Sequence, residues 1–190
     1  MTKNTRKIIK YILGMFKCKL LRLNTQWNNK IYIGRAVSIK GGNKIKLGKN
    51  VSIRPYAQIW ANSMCVIDEG VDIGERCRFS LCNNIYIGKN VLFSPNVYVT
   101  DCDHEYRKVE IPVLKQGIVR NTKDIFIGED SFIGINTVII GASIGKHCVI
   151  GANSVVTKDI PDYSVAVGIP ANVIKQYDFE KQLWCNKKNG

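Results

Sequence analysis

The sequence predicts an all-β fold, a parallel β-helix of stacked coils, and three observations carry that prediction. Aliphatic residues recur every 20 positions: Ile33, Ile53, Ile73 and Phe93 form one series, Ile39, Ile59, Phe79 and Val99 a second, and Leu47, Ile67 and Ile87 a third. Short alternating stretches such as Ile31-Tyr32-Ile33, Ile45-Lys46-Leu47 and Ile125-Phe126-Ile127 read as strands with one buried face. Corner residues follow at fixed offsets, with Gly directly after the aliphatic lead (Gly48, Gly74, Gly88, Gly128, Gly134, Gly145, Gly151) and Asn three after it (Asn50, Asn90, Asn96, Asn136, Asn153). No i, i+3, i+4, i+7 stripe competes between residues 31 and 157. A repeat this short cannot fold alone, so each unit buries its face against the next.

The elements follow in chain order. Residues 1–24 form a basic amphipathic segment: Lys3, Arg6, Lys7, Lys10, Lys17, Lys19 and Arg22 occur there without an acid, in a chain of net charge +13. Ile8, Ile9, Ile12, Leu13, Phe16 and Leu20 fall on one helical face. Two readings fit equally. One is an interfacial helix on an anionic membrane, where each cation contributes on the order of 1 kcal/mol. The other is a helix packed across the open end of the coil. Gly14 lowers helix propensity in both.

The coil domain spans residues 25–175. Four after each lead comes a small or branched residue (Val51, Ala57, Val71, Cys77, Val91, Val97, Ser131, Thr137, Cys148, Ser154), as a narrow interior demands. A β-sandwich would show turns every ~8–12 residues but no fixed-period identity of residue type. Pro161 and Pro170 bracket the last coil, and Gln176–Trp184 is expected to form a short helix in the C-terminal tail, 176–190.

Seven cysteines, an odd number with no C-x-x-C pair, are expected to stay reduced. Cys77 and Cys148 sit in the small interior column as small hydrophobes. No apolar run approaches the ~20 residues that span a bilayer. Lys10 and Lys17 break the stretch a signal peptide would need, so a cytoplasmic location is expected. No aromatic–basic surface motif points to nucleic acid as a partner.

The beat breaks once. The lead after Val99 is due 8 residues later and arrives at Ile127, 28 later. The insertion, Thr100 to Asp124, is longer than the ~12–15 residues beyond which loops in a compact domain are uncommon and usually functional. It carries His104, one of two histidines. An imidazole is the base suited to a hydroxyl or amine nucleophile near neutral pH. Asp101, Asp103 and Glu105 each offer a partner for its tautomer. Without context, a loop histidine with local hydrogen bonds is the better reading of His104; the insertion and its acids shift it toward a base. His147 stands where sister units have Asn and reads as a solvated turn residue. Zinc held by three histidines is excluded in a chain with two, and no metal is expected.

Two segments carry a resemblance: SPNVYVTDCDHEY (94–106) and IGANSVVTKDIPDYSVAVGIPANVIK (150–175). With the coil repeats, they make the chain similar to the hexapeptide-repeat acyltransferases, left-handed parallel β-helix enzymes. Within these it looks like the sugar and polysaccharide O-acetyltransferases of the maltose and galactoside type. The resemblance implies a homotrimer with active sites between subunits and acetyl-CoA as cosubstrate in a groove along the coils. His104 would deprotonate the acceptor hydroxyl, which attacks the thioester with no acyl-enzyme. Backbone N–H groups near Gly134 and Ile135 would stabilise the oxyanion. Phe132, Ala152, Thr157, Lys158 and Lys175 would contact the coenzyme.

Three positions depart from the family pattern: Phe132 replaces a frequent Trp, Asn172 replaces a basic residue, and the unit Ile139–Ser143 has five residues instead of six. The loop DHEYRKVEIPVLKQG resembles a D-H-x-Y…I-P…Q-G pattern of acetyltransferases in capsule, exopolysaccharide and lipopolysaccharide assembly. That implies a nucleotide- or lipid-linked sugar as acceptor, with Asp103, Tyr106 and Gln116 as contacts. The alternatives are N-acetyl transfer to an amino sugar or amino acid on the same scaffold, and a non-catalytic β-helix assembly protein.

Overall fold

The computed structural model describes residues 3–120 and 123–187; residues 1, 2, 121, 122 and 188–190, which belong to the N-terminal segment, the insertion and the tail, lie outside it. Each coil gives one strand to each of three parallel walls. The first wall stacks Tyr32–Ile33, Ser52–Ile53, Asp72–Ile73, Leu92–Phe93, Phe132–Ile133, Val149–Ile150 and Ser164–Gly168. The second stacks Ser38–Lys40, Gln58–Ala61, Arg78–Leu81, Tyr98–Thr100, Val138–Ile140 and Val155–Val156. The third stacks Ile45–Leu47, Cys65–Ile67, Ile85–Ile87 and Ile125–Ile127, and bridges at Ile144 and Ile160 extend it. Pairing follows the sequence period: Ile33 faces Ile53, Ile59 faces Phe79, and Leu47 faces Ile67.

The ladder residues therefore form continuous interior columns, and all ten small residues named above are buried with them. Their hydroxyls are satisfied locally: Ser131 Oγ donates to Gly145 O at 2.9 Å, and Thr137 Oγ1 to Gly151 O at 3.2 Å. Burial pushes the Cys77 thiol up to about 11 and the Cys65 thiol to about 12, which keeps both protonated and inert. At the corners Asn50, Asn90, Asn96, Asn136 and Asn153 all take φ between 55° and 60°, and His147 takes 53°. The corner glycines serve close approach instead. A Cβ on Gly134 would lie 2.6 Å from Ala152 N on the next coil.

The N-terminal helix α1, Lys3–Leu20, closes the open end of the coil. It docks through a narrow edge of Gly14, Met15 and Cys18, all buried. A Cβ on Gly14 would overlap the Ile31 carbonyl. Lys17 Nζ donates to Ile33 O and Gly34 O, both at 2.9 Å. The apolar stripe legible in sequence points the other way: Ile8, Ile9, Ile12, Leu13, Phe16 and Leu20 are exposed. No helix among the described residues is long and apolar enough to cross a membrane. Gly14→Ala tests the docking. An undocked helix would gain about 1 kcal/mol from the better helix former. The docked helix is expected to lose stability by about 1–3 kcal/mol from the overlap, read as a lower denaturation midpoint and faster proteolysis within residues 3–23.

The tail corrects the sequence expectation. Gln176–Trp184 is not helical: Ser164–Gly168, Ala171–Asp178 and Leu183–Asn186 form an antiparallel meander on the end of the first wall. Two features outweigh helix propensity. Tyr177 packs edge-on against Trp184 across the hairpin, ring centroids 5.5 Å apart. Asp178 Oδ1 accepts the backbone N–H groups of Glu180 and Lys181, each at 3.0 Å, and so closes the turn.

Candidate active site

Residues between the buried leads of the second wall face outward and stack as strictly as the interior does. Lys40, Trp60, Ser80, Thr100 and Ile140 form one column; Ser38, Gln58, Arg78, Tyr98, Val138 and Val155 form the next. Chemistry changes along this face. On the early coils the Arg78 guanidinium lies over the Trp60 ring at 4.5 Å and near Tyr98 at 5.8 Å, and Lys40 Nζ lies over Trp60 at 4.1 Å. On the later coils the face is apolar, with Val138, Val155 and the exposed Ile140.

The insertion leaves the wall at Thr100, between these halves. It is an arm and not an irregular loop: Cys102–His104 pairs antiparallel with Ile118–Arg120, and a single helical turn, Val113–Gln116, closes it. Asp101 is buried at the arm's root, and its carboxylate accepts the backbone N–H groups of Cys82 and Asn83, both at 2.6 Å. Gln116 staples the tip, with Nε2 donating to Lys108 O at 2.7 Å and Ile111 O at 2.6 Å while Oε1 accepts Lys108 N–H at 3.0 Å. Its amide is committed to the arm, so the acceptor contact expected of it gives way to a structural one.

His104 and Asp103 stand where the arm meets the wall. With Trp60, Arg78, Ser80 and Tyr98 they line a cleft of about 340 Å³. The Trp60 Nε1–H and the Ser80 hydroxyl are buried without a hydrogen-bond partner. Such a group left unmet costs about 1–3 kcal/mol, and in native proteins an ordered water, a ligand or a functional role accounts for it. Of the three acids near His104, Asp101 holds the arm and Glu105 pairs with Arg107 at 2.6 Å. The Arg107 guanidinium holds the Glu105 carboxyl down at about 2, so it stays ionised across the neutral range. Asp103 Oδ1 accepts His104's own backbone N–H at 2.7 Å. Among the described residues no carboxylate meets the His104 ring, which is exposed in the single subunit, as is Tyr106.

The expected coenzyme residues divide between the two edges of the wall. Gly134, Ile135 and Ala152 occupy nested corners on the edge where the chain enters it, beside Phe132. Thr157 and Lys158 occupy the edge where the chain leaves it, the same edge as the arm; both are exposed, as is Lys175 in the meander. Gly134 N–H donates to Ile150 O at 2.8 Å within the coil, which removes it from an oxyanion role. One subunit thus does not bring His104 and the Ile135 corner together.

Cys82, Asp101 and Cys102 place ligand-type atoms within 4.8 Å of one another. The Asp101 carboxylate already serves two amides, and burial pushes the Cys102 thiol up to about 11. Lys40, Trp60, Arg78 and Tyr98 belong to no sequence motif. The signal was present, because the 20-residue spacing that aligns the interior also aligns the outward columns.

The galactoside O-acetyltransferase of Lactococcus lactis is 32% identical to this chain over 151 residues, covering 73% of the chain and 70% of the relative. The chain belongs to the hexapeptide-repeat acetyltransferases. In this hexapeptide-repeat acetyltransferase, residues 125–158 match the family model described as a hexapeptide repeat of succinyl-transferase. An Escherichia coli protein provisionally named a lipopolysaccharide biosynthesis O-acetyl transferase is 27% identical over 173 residues, 88% of the chain and 83% of that protein. A Mycobacterium tuberculosis protein provisionally named an acetyltransferase is 31% identical over 166 residues; these cover 85% of the chain and 55% of that longer protein. The fold recurs, at TM-score 0.69 and 17% identity over 95% of the chain and 92% of the other, in a variant of AntD. That protein is an N-acyltransferase from Bacillus cereus, solved with dTDP-4-amino-4,6-dideoxyglucose and coenzyme A.

Proposed function

We propose that this hexapeptide-repeat acetyltransferase is an acetyl-CoA-dependent O-acetyltransferase acting on a sugar hydroxyl of a surface-polysaccharide precursor. One observation carries the reading: the arm bearing His104 emerges between a cationic–aromatic half and an apolar half of the same outer face. The apolar half (Val138, Ile140, Val155) suits a pantetheine arm, with Lys158 and Lys175 near its course as charges for phosphate. The other half suits a polar acceptor. His104 takes the hydroxyl proton as the oxygen bonds to the acyl carbon, the carbon–sulfur bond breaks, and the proton passes to the departing thiolate. The Ile135 N–H is the donor left for the oxyanion, and it reaches His104 only from a neighbouring subunit. A homotrimer supplies that neighbour, and the apolar arm tip, with Val109 and Leu114 at 95% and 88% exposure, is the surface that meets it. The names of the L. lactis and E. coli relatives support sugar and polysaccharide acceptors over free amines.

The exposed stripe of α1, flanked by cations and free of acids, sets the enzyme on the anionic inner face of the cytoplasmic membrane, where lipid-linked precursors lie. Replacing Ile12 and Phe16 by Glu is expected to abolish sedimentation with vesicles containing phosphatidylglycerol and to leave thermal stability within about 0.5 kcal/mol, as for exposed sites. Retained sedimentation would remove the membrane role. The activity is tested by thiol release from acetyl-CoA against sugar nucleotides, lipid-linked sugars, amino sugars and free sugars. The expected product is an alkali-labile O-acetyl ester; an alkali-stable amide would assign N-acetylation instead.

A further inference from the structure

The geometry points to a thiophilic metal site at the root of the arm: a divalent ion of the Zn²⁺ class held by the Cys82 and Cys102 thiolates and one oxygen of the Asp101 carboxylate. The ligand atoms of these three residues lie within 4.8 Å of one another. Two sulfurs on a tetrahedral zinc, each bonded at ~2.3 Å, stand about 3.8 Å apart, so the cluster closes on an ion by about 1 Å or less. The 20-residue period supplies the pair. Cys82 and Cys102 hold the same place on consecutive coils, two residues past the paired Ser80 and Thr100, and neighbouring rungs are ~4.8 Å apart. The histidine count excludes a three-imidazole zinc site, but sulfur and oxygen ligands escape that exclusion. Two sulfurs favour Zn²⁺ or Cd²⁺ over Mg²⁺ or Ca²⁺.

Each of the three groups gains from a cation. Asp101 is 3% exposed, and a buried carboxylate calls for pairing or coordination. The Cys82 and Asn83 amides take one lone pair from each oxygen, and a carboxylate offers about four. They also orient it, as outer-shell donors orient metal ligands. Burial pushes the Cys102 thiol up to about 11, and the nearby Cys82 thiol and Asp101 carboxylate push the same way. A divalent ion reverses that balance, because thiols bound to a metal release their protons to solvent. Asn62 Nδ2 donates to Cys82 Sγ at 3.9 Å and supports it as a thiolate. Cys82 and Cys102 both line the His104 cleft, which gives the ion its way in and leaves a fourth position for water. Cys102 precedes His104 by two residues on one strand. The ion therefore ties the strand carrying the imidazole to the coil beside it, and no step of the proposed acetyl transfer passes through it.

The test uses the full-length protein, stripped with a chelator, kept reduced with a phosphine, and titrated with Zn²⁺ alone against a chromophoric chelator. One Zn²⁺ per chain is expected, with micromolar or tighter affinity, proton release on binding, and no competition from excess Mg²⁺. Cys82→Ser and Cys102→Ser are each expected to weaken binding by more than about 100-fold, beyond the roughly 10–100-fold typical of outer-shell partners. Cys185→Ser, which removes another half-buried thiol, and His104→Ala should bind as the wild type does. Cd²⁺ on the wild type decides the matter where a serine variant fails to fold: binding should bring a thiolate-to-metal charge-transfer band in the ultraviolet. Failure of the wild type to bind Zn²⁺, bound Cd²⁺ without that band, or unaltered affinity in both serine variants would overturn the inference. Loss of binding in Cys185→Ser or His104→Ala would also overturn it, by placing the ion elsewhere.

Discussion

His104→Ala is expected to lower the rate of the proposed sugar acetylation by roughly 10²–10⁴, the usual worth of a positioned general base, and to leave acetyl-CoA binding near the wild-type value. The expectation follows from where the imidazole sits. His104 lines the cleft with Arg78 and Tyr98, while the expected coenzyme residues all occupy later coils, divided between the two edges of the wall. Under the proposed function, truncation removes the proton acceptor and nothing that holds pantetheine. The fold should be unaffected, because His104 is exposed and its strand pairing uses backbone groups alone. Free imidazole should restore part of the rate. Wild-type activity in the variant would remove the base role, and loss of coenzyme binding would make His104 a binding residue instead.

Phe79→Ala is the substitution expected to harm the fold most, by about 3–5 kcal/mol, as for large aromatic truncations in cores. Phe79 is fully buried in the second-wall column between Ile59 and Val99, and its ring meets Phe93 edge-on with centroids 5.3 Å apart. Strands above and below are pinned by hydrogen bonds at ~4.8 Å spacing, so the coil cannot collapse into the space. Equilibrium denaturation measures the loss. A cost under about 1 kcal/mol would mean that the column is not the core.

The interior was legible because a solenoid repeats its environment: each lead residue meets the same neighbours one coil on, so Ile33, Ile53, Ile73 and Phe93 announce one another. The outer face obeys the same register, yet Lys40, Trp60, Ser80 and Thr100 share no residue type. Its columns become visible only after the strands are stacked. The apolar face of α1 was correctly grouped and wrongly aimed under the capping reading, because docking depends on the absence of a side chain at Gly14 more than on hydrophobicity. The tail's hairpin is ambiguous in sequence because Tyr177 and Trp184, seven residues apart, and Asp178 ahead of Glu180 and Lys181 suit one face and a cap of a helix as well as a cross-strand pair and a turn. His104 stood out in sequence; its surroundings did not, since Asp101 and Glu105 turn to the backbone and to Arg107.

The most direct test is a structure of the assembled protein with a non-hydrolysable acetyl-CoA analogue. The account predicts pantetheine lying along Val138 and Ile140, its sulfur close enough to a neighbouring subunit's arm for an acceptor oxygen on the His104 imidazole to sit about 3–3.5 Å from the acyl carbon. A coenzyme seated on another wall, with that imidazole left in open solvent, would contradict it.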